Sequence, residues 1–254
     1  MERDDSFRRV LIKVSGEALK GEDTPIDAAS VELLADQLIR LSAGGVQTSL
    51  VLGGGNLFRG LGATQGGMER NVADHIGMQA TVMNALAVKE ILLRHNVVSH
   101  VQTPYAMPGV TEAFDHALAD RELRGGEIVI FAGGTGHPFF TTDTAAALRA
   151  CQTAADAVLK ATKVDGVFTD DPQSNADAKR YRTLSYEDAL SHRLEVMDGT
   201  AFALCRDNGI PIVVFNFFRH EELARVVRGD LAAATYVGNC RTELADTPTG
   251  NASP

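Results

Sequence analysis

Two lysines stand where apolar runs end: Lys13 in RVLIKV and Lys160 in AVLK. A cation in such a place costs free energy unless an anion meets it, which makes both candidates for holding a phosphate. A strand-end lysine also snorkels to water, and composition leaves both readings open. Glycines gather at the same kind of position. Ser15-Gly16 follows the first strand, Gly53-Gly54-Gly55 the second, and Gly133-Gly134-Thr135-Gly136 a later one. Amides without a neighbouring Cβ approach an anion closely, and a helix N-terminus adds partial positive charge. Arg59 lies just past the triple glycine, and Asp143 opens a helix after Phe139-Phe140-Thr141-Thr142, where it also reads as an N-cap. Neither G-x-x-x-x-G-K-[ST] nor G-x-G-x-x-G is present, so neither a P-loop nor a dinucleotide fold is indicated. The seven histidines show no H-x-x-x-H pair and no carboxylate partner, so no metal site is expected. No serine or cysteine nucleophile is apparent. Asp165-Gly166 and Thr169-Asp170-Asp171-Pro172 read first as turns.

Apolar periodicity supplies the elements that position these residues. Strands are expected over residues 9–14, 47–52, 98–102, 127–132, 157–160, 210–215 and 235–237. A helix follows Asp27 as N-cap, with Val31, Leu34, Leu38 and Leu41 at helical spacing and Gly44-Gly45 as its stop. Further helices are expected over 73–94 (capped by Asp74 or a neighbour), 113–123, from Thr142-Asp143, 198–208 and 221–228. Strand–helix alternation of this kind gives an α/β fold, a three-layer αβα sandwich with a mainly parallel central sheet. Strand carboxyl ends then line one edge, where ligands bind. One domain over residues 1–240 is expected, with a disordered polar tail over 241–254.

Composition excludes several classes. With 44% hydrophobic and 22% charged residues in 254, the chain is globular rather than disordered. A net charge of -9 argues against a nucleic-acid binder, which needs a basic face. No apolar run approaches the ~18 residues of a membrane span, and the charged N-terminus lacks a signal peptide's apolar core. Cys151, Cys205 and Cys240 are odd in number without C-x-x-C spacing, so a reducing cytoplasm is the expectation.

Five segments occur in order: KVSGEAL (13–19), GGGNLFRG (53–60), DHIGMQATVMNALA (74–87), GTGHPFFTTD (134–143) and LKATKVDGVFTDDP (159–172). Together they resemble the bacterial UMP kinases of the amino acid kinase fold, over residues 9–238. The resemblance implies transfer of the γ-phosphate of ATP to UMP, giving UDP for pyrimidine nucleotide synthesis. It assigns the triphosphate to Lys13, Val14, Ser15, Gly16, Gly55 and Arg59, and the adenosine end to Thr162, Phe168 and Asp171. It assigns UMP to Gly54, Asp74 and the run Thr135, Gly136, His137, Pro138, Phe139, Phe140, Thr141 and Thr142.

Lys13 and Lys160 are then the expected catalytic cations, with Lys163 a rival for the second. Asp143 is expected to orient lysines by ion pairing rather than to act as a base, since the attacking phosphate oxygen is already anionic. Mg²⁺ arrives on ATP, in keeping with the missing carboxylate cluster. Members of the family are hexamers activated by GTP and inhibited by UTP, which implies a homohexamer with those effectors.

Three places depart from the pattern. Gly21-Glu22-Asp23-Thr24-Pro25 is short and acidic where relatives carry a glycine-rich stretch, His137 stands where Asn is common, and the tail after Gly238 differs. The competing readings are a kinase of the same fold acting on a carboxylate or carbamate, and a non-catalytic nucleotide-binding relative. Against the latter, Lys13, Arg59 and Asp143 are all in place.

Overall fold

β1 (Arg9–Val14) sends alternate side chains to opposite faces of the sheet. Val10, Ile12 and Val14 enter one buried cluster and Leu11 the other, so Lys13 shares the face of Leu11. β6 (Ala157–Thr162) repeats the arrangement: Ala157, Leu159 and Ala161 lie in the first cluster and Val158 in the second. Lys160 therefore shares the face of Val158. The two strands pair in parallel with Lys13 opposite Lys160, and both ammonium groups emerge side by side.

The computed structural model describes residues 6–245 apart from 173, 193, 195, 196 and 220. The remaining strands are β2 (Gln47–Leu52), β3 (Ser99–Thr103), β4 (Glu112–Ala113), β5 (Ile128–Phe131), β7 (Tyr181–Ser185), β8 (Ile212–Asn216), β9 (Thr235–Gly238) and β10 (Glu243–Leu244). They join β1 and β6 in one sheet of order β10-β7-β9-β8-β6-β1-β2-β5-β3-β4. Pairing is parallel except at β8–β9 and β7–β10, which bears out a mainly parallel α/β sheet. Helices α1 (Ala28–Ala43), α2 (Gly60–Gln65), α3 (Arg70–Arg94), α4 (His116–Arg124), α5 (Thr142–Gln152), α6 (Tyr186–Ser191), α7 (Gly199–Asp207) and α8 (Glu222–Val227), with a 3-10 turn over Gly16–Leu19, complete the described elements. α1, α3 and α8 bury apolar residues against one face, and α4 to α7 against the other.

α1 follows its sequence signals closely. Asp27 accepts from Ser30 N at 2.9 Å, and Val31, Leu34, Leu38 and Leu41 are buried. α3 starts earlier than its apolar pattern because Glu69, not Asp74, caps it, accepting from Asn71 N and Val72 N. That leaves the Asp74 carboxylate available for other partners. α3 is long and apolar enough by length and composition to cross a bilayer, yet half of its apolar window is buried inside the protein, as befits a core helix. α4 begins at His116 behind an Asp115 cap, and residues 112–113 instead extend the sheet as β4.

β7, α6 and β10 had no counterpart in the sequence reading. The tail expected to be disordered from residue 241 is ordered at its start. Thr183 Oγ1 donates to Arg241 O at 2.8 Å, Arg182 pairs with Glu243, and Glu243–Leu244 pair with β7. A two-residue strand carries no periodicity, which is why composition masked it. Residues 246–254 lie outside the described residues.

Candidate active site

The parallel register of β1 and β6 brings two buried ammonium groups together, and α5 answers them with one carboxylate. Lys13 Nζ lies 2.6 Å from Asp143 Oδ1 as an ion pair, without the alignment of a hydrogen bond. Lys160 Nζ donates to Asp143 Oδ2 at 2.9 Å. The three side chains are 12%, 14% and 16% exposed (Lys13, Asp143, Lys160), so this is a nearly dry centre with two positive charges and one negative. Burial alone would raise the Asp143 pKa, but the two ammonium groups outweigh it and hold the carboxyl below its ordinary range. Burial, helped by repulsion from Lys13, pulls Lys160 below the usual lysine value against the opposing pull of Asp143. The surplus positive charge sits at the N-terminus of α5, whose dipole adds to it. Such a centre attracts an anion.

Asp143 owes its place to the helix start. Thr141, rather than Asp143, caps α5, accepting from Asp143 N at 3.0 Å. Asp198 in turn accepts from Thr141 Oγ1 and Thr144 Oγ1, while capping α7 through Thr200 N and Ala201 N at 3.0 Å. One carboxylate thus ties the N-termini of two helices together.

The glycine loops end the adjacent strands β1, β2 and β5. Gly16 is demanded by close approach: a Cβ there would sit 2.6 Å from Gly53 O. Gly136 has φ +83°, and a Cβ would meet Pro104 Cβ at 2.6 Å. Two polar residues buried in α3 hold the loops. Asn84 donates to Gly53 O at 2.7 Å and Asn56 Oδ1 at 2.8 Å, and Thr81 Oγ1 accepts from Gly133 N at 2.7 Å.

A cavity of about 680 Å³ opens beside the second and third loops, lined by Gly54, Gly55, Arg59, Asp74, Thr135 and Phe140 to Thr142 among others. Asp74 accepts from Arg70 Nε at 2.8 Å and from Phe139 N at 2.7 Å. This clamps Phe139 at φ +71°, a left-handed conformation that costs a bulky residue about 1–3 kcal/mol and concentrates at ligand clamps. Two smaller cavities border the two lysines. One, of about 380 Å³, is lined by Lys13, Val14, Ser15, Glu17, Lys160, Thr162 and Lys163. The other, of about 430 Å³, is lined by Lys160, Thr162, Phe168 and Asp171 among others. Lys160 lines both smaller cavities and Lys13 one of them, while the large cavity reaches Thr142, the residue before Asp143.

The amino acid kinase family model matches residues 8–216. The chain belongs to the amino acid kinase family. Among solved structures, the UMP kinase from Bacillus anthracis is similar to it at 37% identity and TM-score 0.91, covering 95% of this chain and 100% of that one. The UMP kinase from Ureaplasma parvum matches at 36% identity and TM-score 0.87, covering 91% and 99%. The uridylate kinase from Archaeoglobus fulgidus matches at 25% identity and TM-score 0.69, covering 90% and 99%.

In this amino acid kinase family member the residues singled out from sequence divide into three groups. Lys13, Asp143 and Lys160 form the centre; Val14, Ser15, Thr162 and Lys163 line one smaller cavity beside it, Phe168 and Asp171 the other, and the Lys163 charge reaches Glu17. Gly54, Gly55, Arg59, Asp74, Thr135, Phe140, Thr141 and Thr142 line the large cavity. Gly136, His137, Pro138 and Phe139 do not. Gly136 packs on Pro104, His137 is exposed with its N–H on Thr135 Oγ1, and Phe139 stacks beneath Arg70 at 5.3 Å. Arg59 pairs with Glu17 at 2.7 Å across the loop mouth.

Thr81, Asn84 and Asp198 were missed. Their signal was faint: an Asn and a Thr inside an apolar helix, and an Asp that reads as a cap. Histidine partners were missed too, because His100 meets Glu112, Glu122 and Glu127 only through the fold. Burial pushes the Cys205 thiol up to about 12, which keeps it protonated at neutral pH.

Proposed function

We propose that this kinase transfers the γ-phosphoryl group of ATP to UMP, releasing ADP and UDP. The observation that carries the reading is the Lys13–Asp143–Lys160 centre, whose lysines line the smaller cavities and whose Asp143 follows Thr142 on the wall of the large one. UMP occupies the large cavity beside Asp74 and the 135–142 loop, and ATP the smaller ones along Ser15, Thr162 and Phe168. The kinship with UMP kinases at 36–37% identity supports uridylate as the acceptor.

Phosphoryl transfer asks little covalent chemistry of the protein. An anionic oxygen of the UMP phosphate attacks the γ-phosphorus in line, and the bond to the ADP oxygen breaks, so no general base is needed. Lys13 and Lys160 neutralise charge spreading over the transferring group, in a site dry enough for that to count. Asp143 keeps both ammonium groups aimed and prevents either from collapsing onto the other's phosphate. Mg²⁺ enters as part of the ATP substrate. The chain offers it no paired carboxylates at the centre, since Asp143 is engaged by two lysines and Glu17 by Arg59.

A coupled ADP-release assay with UMP, CMP and N-acetylglutamate tests the assignment. Turnover with UMP at least ten times that with the others is expected; preference for N-acetylglutamate would return the chain to the carboxylate kinases. Asp74→Asn is expected to raise the UMP KM well above any change in ATP KM, because a carboxylate accepts from both ribose hydroxyls and anchors Phe139. Equal shifts in both constants would reduce Asp74 to a structural clamp. His137→Asn is expected to leave the UMP KM unchanged over about one pH unit either side of an ordinary histidine pKa, because the ring is exposed and off the cavity. A KM profile that flattens in the variant would put the imidazole on the base.

The pyrimidine pathway, a homohexamer, GTP activation, UTP inhibition and a cytoplasmic setting belong to the same proposal. Exposed Val72, Ile76, Met83 and Leu93 on α3 give self-association an apolar surface to cover, which sedimentation velocity would detect.

A further inference from the structure

At the far edge of the sheet, four residues that play no part in the kinase centre converge. Glu127, just before β5, takes His100 Nε2 at 2.8 Å. A carboxylate only accepts, so Nε2 carries the proton of that bond. The other ring nitrogen, Nδ1, faces Glu122 Oε1 at 3.2 Å and Glu112 Oε1 at 3.5 Å. In the neutral imidazole, Nδ1 would present a lone pair to two anionic oxygens. Either a proton or a metal ion on Nδ1 satisfies both contacts.

The cluster is built rather than incidental. Glu122 lies on α4 and is only 5% exposed, and Gln102 Nε2 donates to its second oxygen at 2.8 Å. Burial raises the Glu122 pKa first, and Glu112 and Glu127, negative like itself, add to the rise against the opposing pull of His100 and Gln102. With all three carboxylates ionised and His100 protonated, the cluster carries a net two negative charges. The oxygen of Glu112, the oxygen of Glu122 and the nitrogen of His100 all lie within 4.8 Å of one another. Bonds of ~2.1 Å to a tetrahedral ion separate neighbouring ligand atoms by roughly 3.4 Å, close to the two distances from Nδ1. The Glu127–His100 bond is the outer carboxylate–imidazole contact that fixes ring orientation and basicity in such sites.

We propose that His100, Glu112 and Glu122 form a binding site for one divalent ion of the zinc class, with Glu127 orienting the imidazole. One nitrogen and two carboxylate oxygens suit zinc or cobalt better than magnesium, which favours an all-oxygen octahedron. Glu112 is half exposed, giving the ion entry and room for a water as fourth ligand. The ion ties β3, β4 and α4 together, far from phosphoryl transfer, and so acts on stability.

The test is calorimetric titration of the EDTA-stripped full chain with ZnCl₂, without nucleotide, alongside thermal melts. One equivalent should bind and raise the melting midpoint, while an excess of MgCl₂ does neither. Glu127→Gln should weaken zinc by about 10–100-fold, and His100→Gln should abolish both the binding and the shift. Should His100→Gln fail to fold, Glu112→Gln at the exposed carboxylate makes the same comparison. The proposal is overturned if the stripped wild type takes up no zinc. It is equally overturned if zinc affinity survives His100→Gln but is lost in His95→Gln, which would move the ion to the Glu32–Asp36–His95 cluster.

Discussion

Lys13→Met lowers kcat by on the order of 10²–10³, the scale of losing one preorganised electrostatic donor. The ammonium sits in a centre 12–16% exposed, where water screens little of its field. Without it Asp143 and Lys160 form a neutral pair, and the surplus charge that draws the transferring group is gone. The ATP KM rises as well, since the same charge meets the incoming triphosphate. Folding survives, because methionine keeps an apolar stem on the face of Leu11 and Asp143 retains Lys160. Steady-state kinetics beside a thermal melt separates the two effects. A kcat near wild type would leave Lys13 a strand-end lysine with no part in transfer.

Asp143→Asn acts in the opposite order, on stability first. It strands two nearly buried ammonium groups 12% and 16% exposed, and removing one partner of a buried ion pair costs about 3–5 kcal/mol. Lys160 is already held below the ordinary lysine pKa by burial and by Lys13, with Asp143 pulling the other way. Losing the carboxylate lowers it further. A lysine whose folded pKa lies below its unfolded one penalises the fold at neutral pH, and the penalty is relieved as pH climbs from the folded value towards ~10.4. The stability deficit of Asp143→Asn therefore shrinks between pH 7 and pH 9.5, taken as roughly one unit short of that reference. The alkaline limb of kcat/KM also moves to lower pH than in the wild type. Melts and rate profiles at both ends check the sign; a deficit that grows with pH would mean the lysines are not the groups left uncompensated. In the wild type the contribution of Asp143 itself is lost only in acid, below the ordinary aspartate range of ~3.9, because its pKa is depressed.

What the sequence made legible was whatever is encoded locally. Continuous apolar runs gave β1 and β2 their bounds, and Asp27 with its four buried aliphatics gave α1. The glycine turns, Lys13 and Lys160 stood out as candidates for a phosphate site because clustered glycines and a lysine ending an apolar strand each carry a cost that a ligand can offset. Pairing across the fold was invisible. Nothing in TVMNALA says that Asn84 will hold Gly53, 31 residues away, or that Thr81 will hold Gly133, 52 residues away. Asp198 reads as a helix cap and is one, yet it also fixes the α5 terminus that carries Asp143. The register that sets Lys13 beside Lys160 is a property of two strands separated by more than half the chain. His137 shows the converse: the resemblance gave it a role at the nucleotide, and the fold leaves its ring exposed outside the cavity.

The account rests on γ-phosphoryl transfer to UMP, and ³¹P NMR of the full chain with ATP, Mg²⁺ and UMP follows that step directly. UDP and ADP signals should grow in equal amounts, without inorganic phosphate, and Lys13→Met should slow both together. Release of inorganic phosphate without UDP, or no change in a mixture that demonstrably binds both nucleotides, would contradict it.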